Sequence, residues 1–149
     1  MKVSSKGEYA LRALITLGKN ENSVTSIKEI SNQTLVPIQY LEQILLLLKS
    51  HGYVKSKRGV YGGYLLKNHP KEIVIGEVIR DLEGPLAPMS CVSITAYEYC
   101  PLEDQGCLLK PLWALIREEV ALILDRTTLH DILEGQLPVG RGECGKEKD

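Results

Sequence analysis

Two short helical patterns followed at once by a basic, glycine-tipped hairpin leave few folds open to this chain. His51-Gly52 closes a helix, with the glycine as its C-cap. Tyr53-Val54-Lys55-Ser56-Lys57-Arg58 then reads as a strand, Gly59-Val60-Tyr61-Gly62-Gly63 as a turn, and Tyr64-Leu65-Leu66-Lys67 as the returning strand. Upstream, Ser26-Ile27-Lys28-Glu29 has the serine-to-glutamate spacing of a capping box and starts a short helix with Ile27 and Ile30 facing inward. Gln33-Thr34-Leu35-Val36 breaks it. Pro37, whose missing N–H costs nothing at a helix start, opens the next helix, which runs to about Ser50. Helical spacing puts Ile38, Leu41, Ile44, Leu45 and Leu48 on its buried stripe and turns Gln39, Tyr40, Glu42, Gln43 and Lys49 away. A first helix from about Lys6 to Lys19 places Tyr9, Ala13, Leu14 and Leu17 on one face.

A second helix with long polar side chains at its exposed N-terminal end is the arrangement that enters a major groove. Glutamine can read adenine edges there, and glutamate can accept from cytosine. Taken alone, these two helices read better as part of a plain three-helix core with a solvated face. The hairpin changes the weighing, because Lys55, Lys57 and Arg58 crowd one arm and its tip and make it a wing. Arg58 suits a narrow minor groove, and the lysines suit phosphates. The glycines do not form a nucleotide loop: the phosphate-cradling spacing is missing and no helix follows. Charge agrees with a polyanion partner. Residues 1–69 hold ten Lys and Arg against four Asp and Glu, a balance of +6; residues 70–149 hold eight against fifteen, a balance of −7; together these give the net −1 of the chain.

In the second half, Ile73-Val74-Ile75-Gly76-Glu77-Val78-Ile79-Arg80-Asp81-Leu82 is expected to begin as a short strand and become a helix, ended by Gly84-Pro85. From Leu108 to about Arg126 the pattern is strongly helical. Leu109, Leu112, Trp113, Ile116, Val120, Ile123 and Leu124 form one stripe, and Leu108, Leu115 and Leu122 a second. A helix apolar over so wide an arc needs two partners, its own domain and a second subunit, and two-fold dimers match two-fold DNA half-sites. Thr128 to Glu134 reads as a short last helix. The expected fold is mainly α with a small β-wing. Residues 1–83 form a winged helix-turn-helix DNA-binding domain, 84–107 a cysteine-bearing loop, 108–134 a long dimerisation helix and a short C-terminal helix, and 135–149 a disordered tail.

Three of the four cysteines, Cys91, Cys100 and Cys107, fall on that one loop, which carries Pro88, Pro101 and Gly106. Thiolates favour zinc, copper(I) or iron–sulfur iron, so a metal or cluster site is one reading, and free thiols or a disulfide are the others. No C-x-x-C pair is present, which weakens zinc-ribbon and thioredoxin readings. The opening Met1-Lys2-Val3-Ser4-Ser5-Lys6 is not read as a signal peptide, and no apolar run is long enough to span a bilayer. A cytoplasmic address without membrane contact is expected, where stable disulfides are rare. His51, His69 and His130 are scattered and form no nucleophile–base constellation, so no enzyme is expected.

The segments Lys6 to Leu14, Tyr40 to Gln43, Val54 to Gly59, Gly62 to Leu66 and Val78 to Pro88 resemble the dimeric winged-helix regulators of the IscR/NsrR/CymR family, in the family's order. The resemblance covers about Met1 to Glu134. It implies an iron–sulfur cluster, [2Fe–2S] in the first instance or [4Fe–4S], on Cys91, Cys100 and Cys107. It also implies major-groove reading by Gln39, Tyr40, Glu42 and Gln43, minor-groove contact by Arg58 with Gly59, and phosphate contacts by Lys2 and Ser5, beside those of Lys57. The expected function is then a DNA-binding transcriptional regulator, mainly a repressor. It would act on a palindromic operator under cluster control and govern iron–sulfur assembly genes. A nitric-oxide or thiol-sensing regulator, or an iron–sulfur carrier, are the alternatives. Two departures stand out: a longer spacing between the first two cysteines, and Lys110 where IscR-like proteins place a histidine. A protonated lysine cannot ligate iron. The fourth ligand falls to Glu8 of a second subunit by similarity to the NsrR-like branch, with Glu103, Asp104, Cys144 or a small thiol as other candidates.

Overall fold

Ser4 begins the order of the chain. Its side chain accepts a hydrogen bond from the Gly7 N–H and caps helix α1, Ser5–Lys19, in a computed structural model that describes residues 2–138. The α1 stripe of Ala10, Ala13, Leu14 and Leu17 is buried completely or nearly so. Ser26 caps helix α2, Ile27–Thr34, by accepting from the Glu29 N–H, as the serine–glutamate spacing predicts. Leu35 ends α2 in the left-handed region at φ 59°, a conformation with a steric cost for a side chain other than glycine. Ser31 supports that turn by donating to the Val36 carbonyl at 2.7 Å.

Helix α3, Ile38–Ser50, buries Leu41, Ile44, Leu45 and Leu48. Ile38 departs from the expected stripe and is 39% exposed. It is the first helical residue, so its side chain lies beyond the end of the core that the later turns reach. Strands β1, Val54–Lys57, and β2, Gly63–Leu66, pair antiparallel from Val54↔Leu66 to Lys57↔Gly63. A two-stranded hairpin is marginal alone. Here Tyr64 exchanges both backbone hydrogen bonds with Thr25, at 2.8 and 2.9 Å, and docks the hairpin on the segment before α2.

Helix α4, Ile75–Glu83, follows a 3-10 turn at Pro70–Glu72. The strand expected at Ile73 is reduced to one bridge, Val74↔Thr128, flanked by Ile75 N–H to Thr127 O and Leu129 N–H to Ile73 O, both 2.9 Å. The segment that pairs with it is only a joint between helices α5, Lys110–Asp125, and α6, Leu129–Glu134, so no longer ladder can form. Helix α6 is capped by a complete box, Thr128 with Asp131, and returns to α1. Leu129 is fully buried, and a Cβ at Gly18 would press on Leu133. One hydrophobic cluster therefore draws on α1, α2, α3, β1, α4 and α6.

Helix α5 has no fully buried residue among those described and adds only the partly buried Leu124 to this cluster. Arg80 on α4 clamps its end through two hydrogen bonds to Asp125, at 2.6 and 2.9 Å. A Cβ at Gly76 would overlap the Asp125 carboxylate, so only glycine leaves room for this pairing. Arg80 holds the Asp125 carboxyl below its ordinary range, and the Thr128 backbone does the same for Asp131. A carboxyl whose folded pKa lies below its unfolded one adds stability above about pH 4, and that stability is lost as pH falls through the folded value. The drop in urea midpoint from pH 7 to pH 3 should therefore be smaller for Asp125→Asn than for the parent protein.

Candidate nucleic-acid interface and cysteine loop

The first turns of α3 present Gln39, Tyr40, Glu42 and Gln43 to solvent, with Tyr40 57% exposed. They lie on the helix face opposite the fully buried Leu41 and Leu45. The hairpin tip projects further: Val60 and Tyr61 are more than 90% exposed, and Lys55, Lys57, Arg58 and Gly59 are exposed beside them. Gly59 adopts φ +119°, which a side chain would strain, and this lets the tip turn sharply after Arg58. Lys49 of α3 donates to Ser56 Oγ at 2.7 Å and ties the recognition-type helix to the hairpin. Lys2 and Ser5 are exposed at the start of α1. All nine residues expected to meet DNA are therefore solvent-facing.

Below this face, the Tyr53 hydroxyl at the root of the hairpin donates to Asp81 of α4 at 2.5 Å. Burial first, and then the Asp81 carboxylate, push the Tyr53 phenol well above its ordinary value. It stays protonated and keeps donating at any physiological pH.

The cysteine loop joins α4 to α5. Cys91 lies in a 3-10 turn, Ser90–Val92, Cys100 caps another, Pro101–Glu103, and the Cys107 N–H folds back on the Leu102 carbonyl at 3.1 Å. All three thiols are free and half-buried. Arg117 of α5 donates to the Val92 carbonyl at 2.6 Å and pins the loop beside Cys91 to that helix. Lys110 pairs with Glu103 at 2.7 Å, and the Tyr97 hydroxyl donates to both Glu103 oxygens at 3.1 Å. The Lys110 ammonium holds Glu103 below the ordinary carboxylate range. Tyr99 donates to Asp104. Two of the candidate fourth ligands, Glu103 and Asp104, are thus engaged inside the loop. Glu8 is exposed on α1 and paired with Arg12 of the next turn. Cys144 and the tail from residue 139 lie outside the described residues.

Among the described residues, no three His, Cys, Asp or Glu side chains converge on a single ion. A cluster distributes its cysteine ligands over two or more irons, and the three free thiols of one loop suit it in kind. Arg117, Lys110 and Glu103 organise the loop, and periodicity gave no sign of the first or last. Lys110 was visible only as a residue where a histidine was expected.

A helix-turn-helix followed by an exposed basic hairpin defines a DNA-binding protein of the winged-helix class. Residues 3–135 match the family described as Rrf2, iron-dependent transcriptional regulator, and the chain belongs to that family. It is 41% identical over 133 residues to the HTH-type transcriptional regulator CymR of Bacillus subtilis (strain 168), covering 89% of each chain. It is 31% identical over 137 residues to the regulator IscR of Klebsiella pneumoniae (strain 342), covering 91% of this chain and 82% of the relative. Among solved structures it superposes on CymR, the global cysteine regulator of B. subtilis, with a TM-score of 0.74 at 37% identity, covering 91% of this chain and 98% of the other. With T. potens IscR the TM-score is 0.71 at 31% identity, covering 94% of both. These relatives are transcriptional regulators, and the chain is not an enzyme. No helix among the described residues is long and apolar enough to cross a membrane.

Proposed function

We propose that the protein is a dimeric, operator-binding repressor whose DNA affinity is set by the chemistry of its cysteine loop. The observation that carries this reading is the position of that loop. It leaves α4, whose Asp81 supports the wing, and it enters α5, whose apolar face lacks a partner among the described residues. Leu112, Leu115, Leu122 and Ile123 are exposed on α5, and Leu108 and Leu109 just before it. A second copy seated on α5 would bury them and bring two recognition helices to one palindromic duplex. Gln39, Tyr40, Glu42 and Gln43 then read the major groove, Arg58 with Gly59 the minor groove, and Lys2, Ser5 and Lys57 the phosphates.

The loop's input is an iron–sulfur cluster, [2Fe–2S] or [4Fe–4S], held by Cys91, Cys100 and Cys107, with Glu8 of the second subunit as fourth ligand. A bound cluster would make the loop responsive to iron–sulfur supply, oxygen or nitric oxide, with iron–sulfur assembly genes as targets. Arg117 and the Lys110–Glu103 pair hold the loop backbone on α5, so a change in loop order reaches the dimer helix directly. A second reading, direct thiol sensing without metal, is favoured by one observation: the three loop thiols are free and half-buried in a chain 41% identical to the regulator CymR.

One preparation separates the two. Protein purified without oxygen, with its visible spectrum and its iron and sulfide content, is titrated against duplexes selected from a random inverted-repeat pool. Charge-transfer absorption that disappears in Cys100→Ala, together with a changed operator affinity, is the expected result. Colourless, iron-free protein whose affinity responds to a thiol oxidant would leave the thiol reading instead. Selection of no common inverted repeat would sink the operator-binding reading itself. Arg58→Ala should weaken binding in every case, and Gln43→Ala should relax base preference by about 1–3 kcal/mol at one position.

A further inference from the structure

The C-terminal end of α4 meets the start of α1, 79 residues away in sequence. Glu83 Oε1 accepts from the Ser4 backbone N–H at 3.0 Å and from the Ser4 hydroxyl at 2.6 Å. The same hydroxyl accepts from the Gly7 N–H at 3.3 Å, so one serine both caps α1 and receives the clasp. Gly7 is required by this arrangement, since a Cβ there would overlap the Glu83 carboxylate. These hydrogen bonds, with Lys6 nearby, hold the Glu83 carboxyl below its ordinary range, so it is ionised and accepting at neutral pH. Among the described residues, the hydrogen bonds tying residues 2–4 to another element run from Ser4 to Glu83. Lys2 and Val3 are otherwise exposed.

Two further facts give the clasp a direction. Two residues earlier on the same helix, Asp81 holds Tyr53 at the root of the wing. One residue later, Gly84 turns at φ +89° into the cysteine loop. The end of α4 thus touches the N-terminal arm, the wing and the loop at once.

We propose that Glu83 is a positioning residue for DNA binding: its carboxylate holds the arm of Lys2 to Ser5 where that arm meets DNA phosphates. This rests on the reading of Lys2 and Ser5 as phosphate contacts. A clasp of this kind has a sign that simple electrostatics lacks. Deleting a carboxylate near DNA removes repulsion and by itself tightens binding. Losing a held arm loosens binding and removes phosphate neutralisation.

The test uses the full chain and a mixed-sequence duplex of about 30 base pairs, long enough for two half-sites a helical turn apart. Phosphate contacts act on any sequence, and each neutralised phosphate contributes about 0.9 to the slope of log affinity against log salt. Glu83→Ala should bind about a hundredfold more weakly, because each of the two subunits then forfeits one charge-assisted hydrogen bond to a phosphate, about tenfold apiece at the low end of the range. Its slope should fall by about 2, the share of two Lys2 residues in a dimer. Glu83→Gln also lacks the charge, but its amide oxygen can still accept from Ser4, and it should keep the slope. Ser4→Ala removes the hydroxyl half of the clasp and leaves the backbone N–H donor. It should shift affinity and slope in the same direction as Glu83→Ala but by less, and the double variant should be no worse than Glu83→Ala alone. Thermal melts confirm folding, and if Glu83→Ala does not fold, Ser4→Ala carries the comparison. An unchanged slope in the variants that break the clasp, or equal losses in Glu83→Ala and Glu83→Gln, would overturn the proposal. Lys2→Ala tests the premise separately: if it leaves the slope unchanged in the otherwise native protein, the arm does not touch DNA and the phosphate reading falls with the proposal.

Discussion

Replacing Leu115 and Leu122 together by aspartate should leave each chain folded, turn the proposed dimer into monomers and cut operator affinity by about 10²–10⁴-fold. Both leucines are about half exposed on α5 and lie outside the hydrophobic cluster of the chain, so the substitutions cost the monomer little. In a dimer built on α5 they would bury charges in an apolar seam, where an unpaired charge is strongly unfavourable. The affinity loss follows from linkage. Two half-sites joined in one dimer gain about 10²–10⁴-fold over one alone, without any new contact. Sedimentation velocity reads the monomer, and fluorescence anisotropy on the selected operator reads the affinity. Unaltered dimer mass would mean that α5 is not the subunit interface, and the exposed leucines would then need another partner.

The second large effect lies in the core. Leu45→Ala should lower the unfolding free energy by about 2–5 kcal/mol, the range for removing a fully buried leucine. Leu45 is completely buried on α3, directly behind the polar face that carries Tyr40, Glu42 and Gln43. Against a total of about 5–15 kcal/mol for a domain of ordinary stability, the change is a large fraction of the whole. It should shift the urea midpoint read by circular dichroism, while Leu46→Ala, whose leucine is 68% exposed on the same helix, should be close to neutral. Equal effects would mean that α3 packs by a different face.

Much of the N-terminal half was legible in local pattern. The box at Ser26 and Glu29, Pro37 before α3 and the glycines around the hairpin all act within a few residues. Spacing therefore located α2, α3 and the wing. Ile38 was misplaced because periodicity reports a helix face and not how far along the helix the core extends. Leu35 in the left-handed region was also unreadable: only the packing around it, with Ser31 donating to Val36, holds a leucine where glycine is usual.

For the cysteine loop, the sequence identified the ligand-type residues and the unexpected Lys110, but not their connections. Lys110 with Glu103 and Tyr97, and Arg117 with Val92, depend on where two irregular segments settle against α5. No period describes such segments. By itself the sequence determined the helical order, the basic hairpin, the charge divided between halves and the three thiols on one loop, because each depends on neighbours within one or two turns. Only the tertiary structure decided that α6 returns to α1, that Val74 pairs with Thr128, and that Glu83 clasps Ser4. Those pairings close loops of tens of residues, and whether a distant carboxylate meets a given N–H depends on the packing of every helix between them.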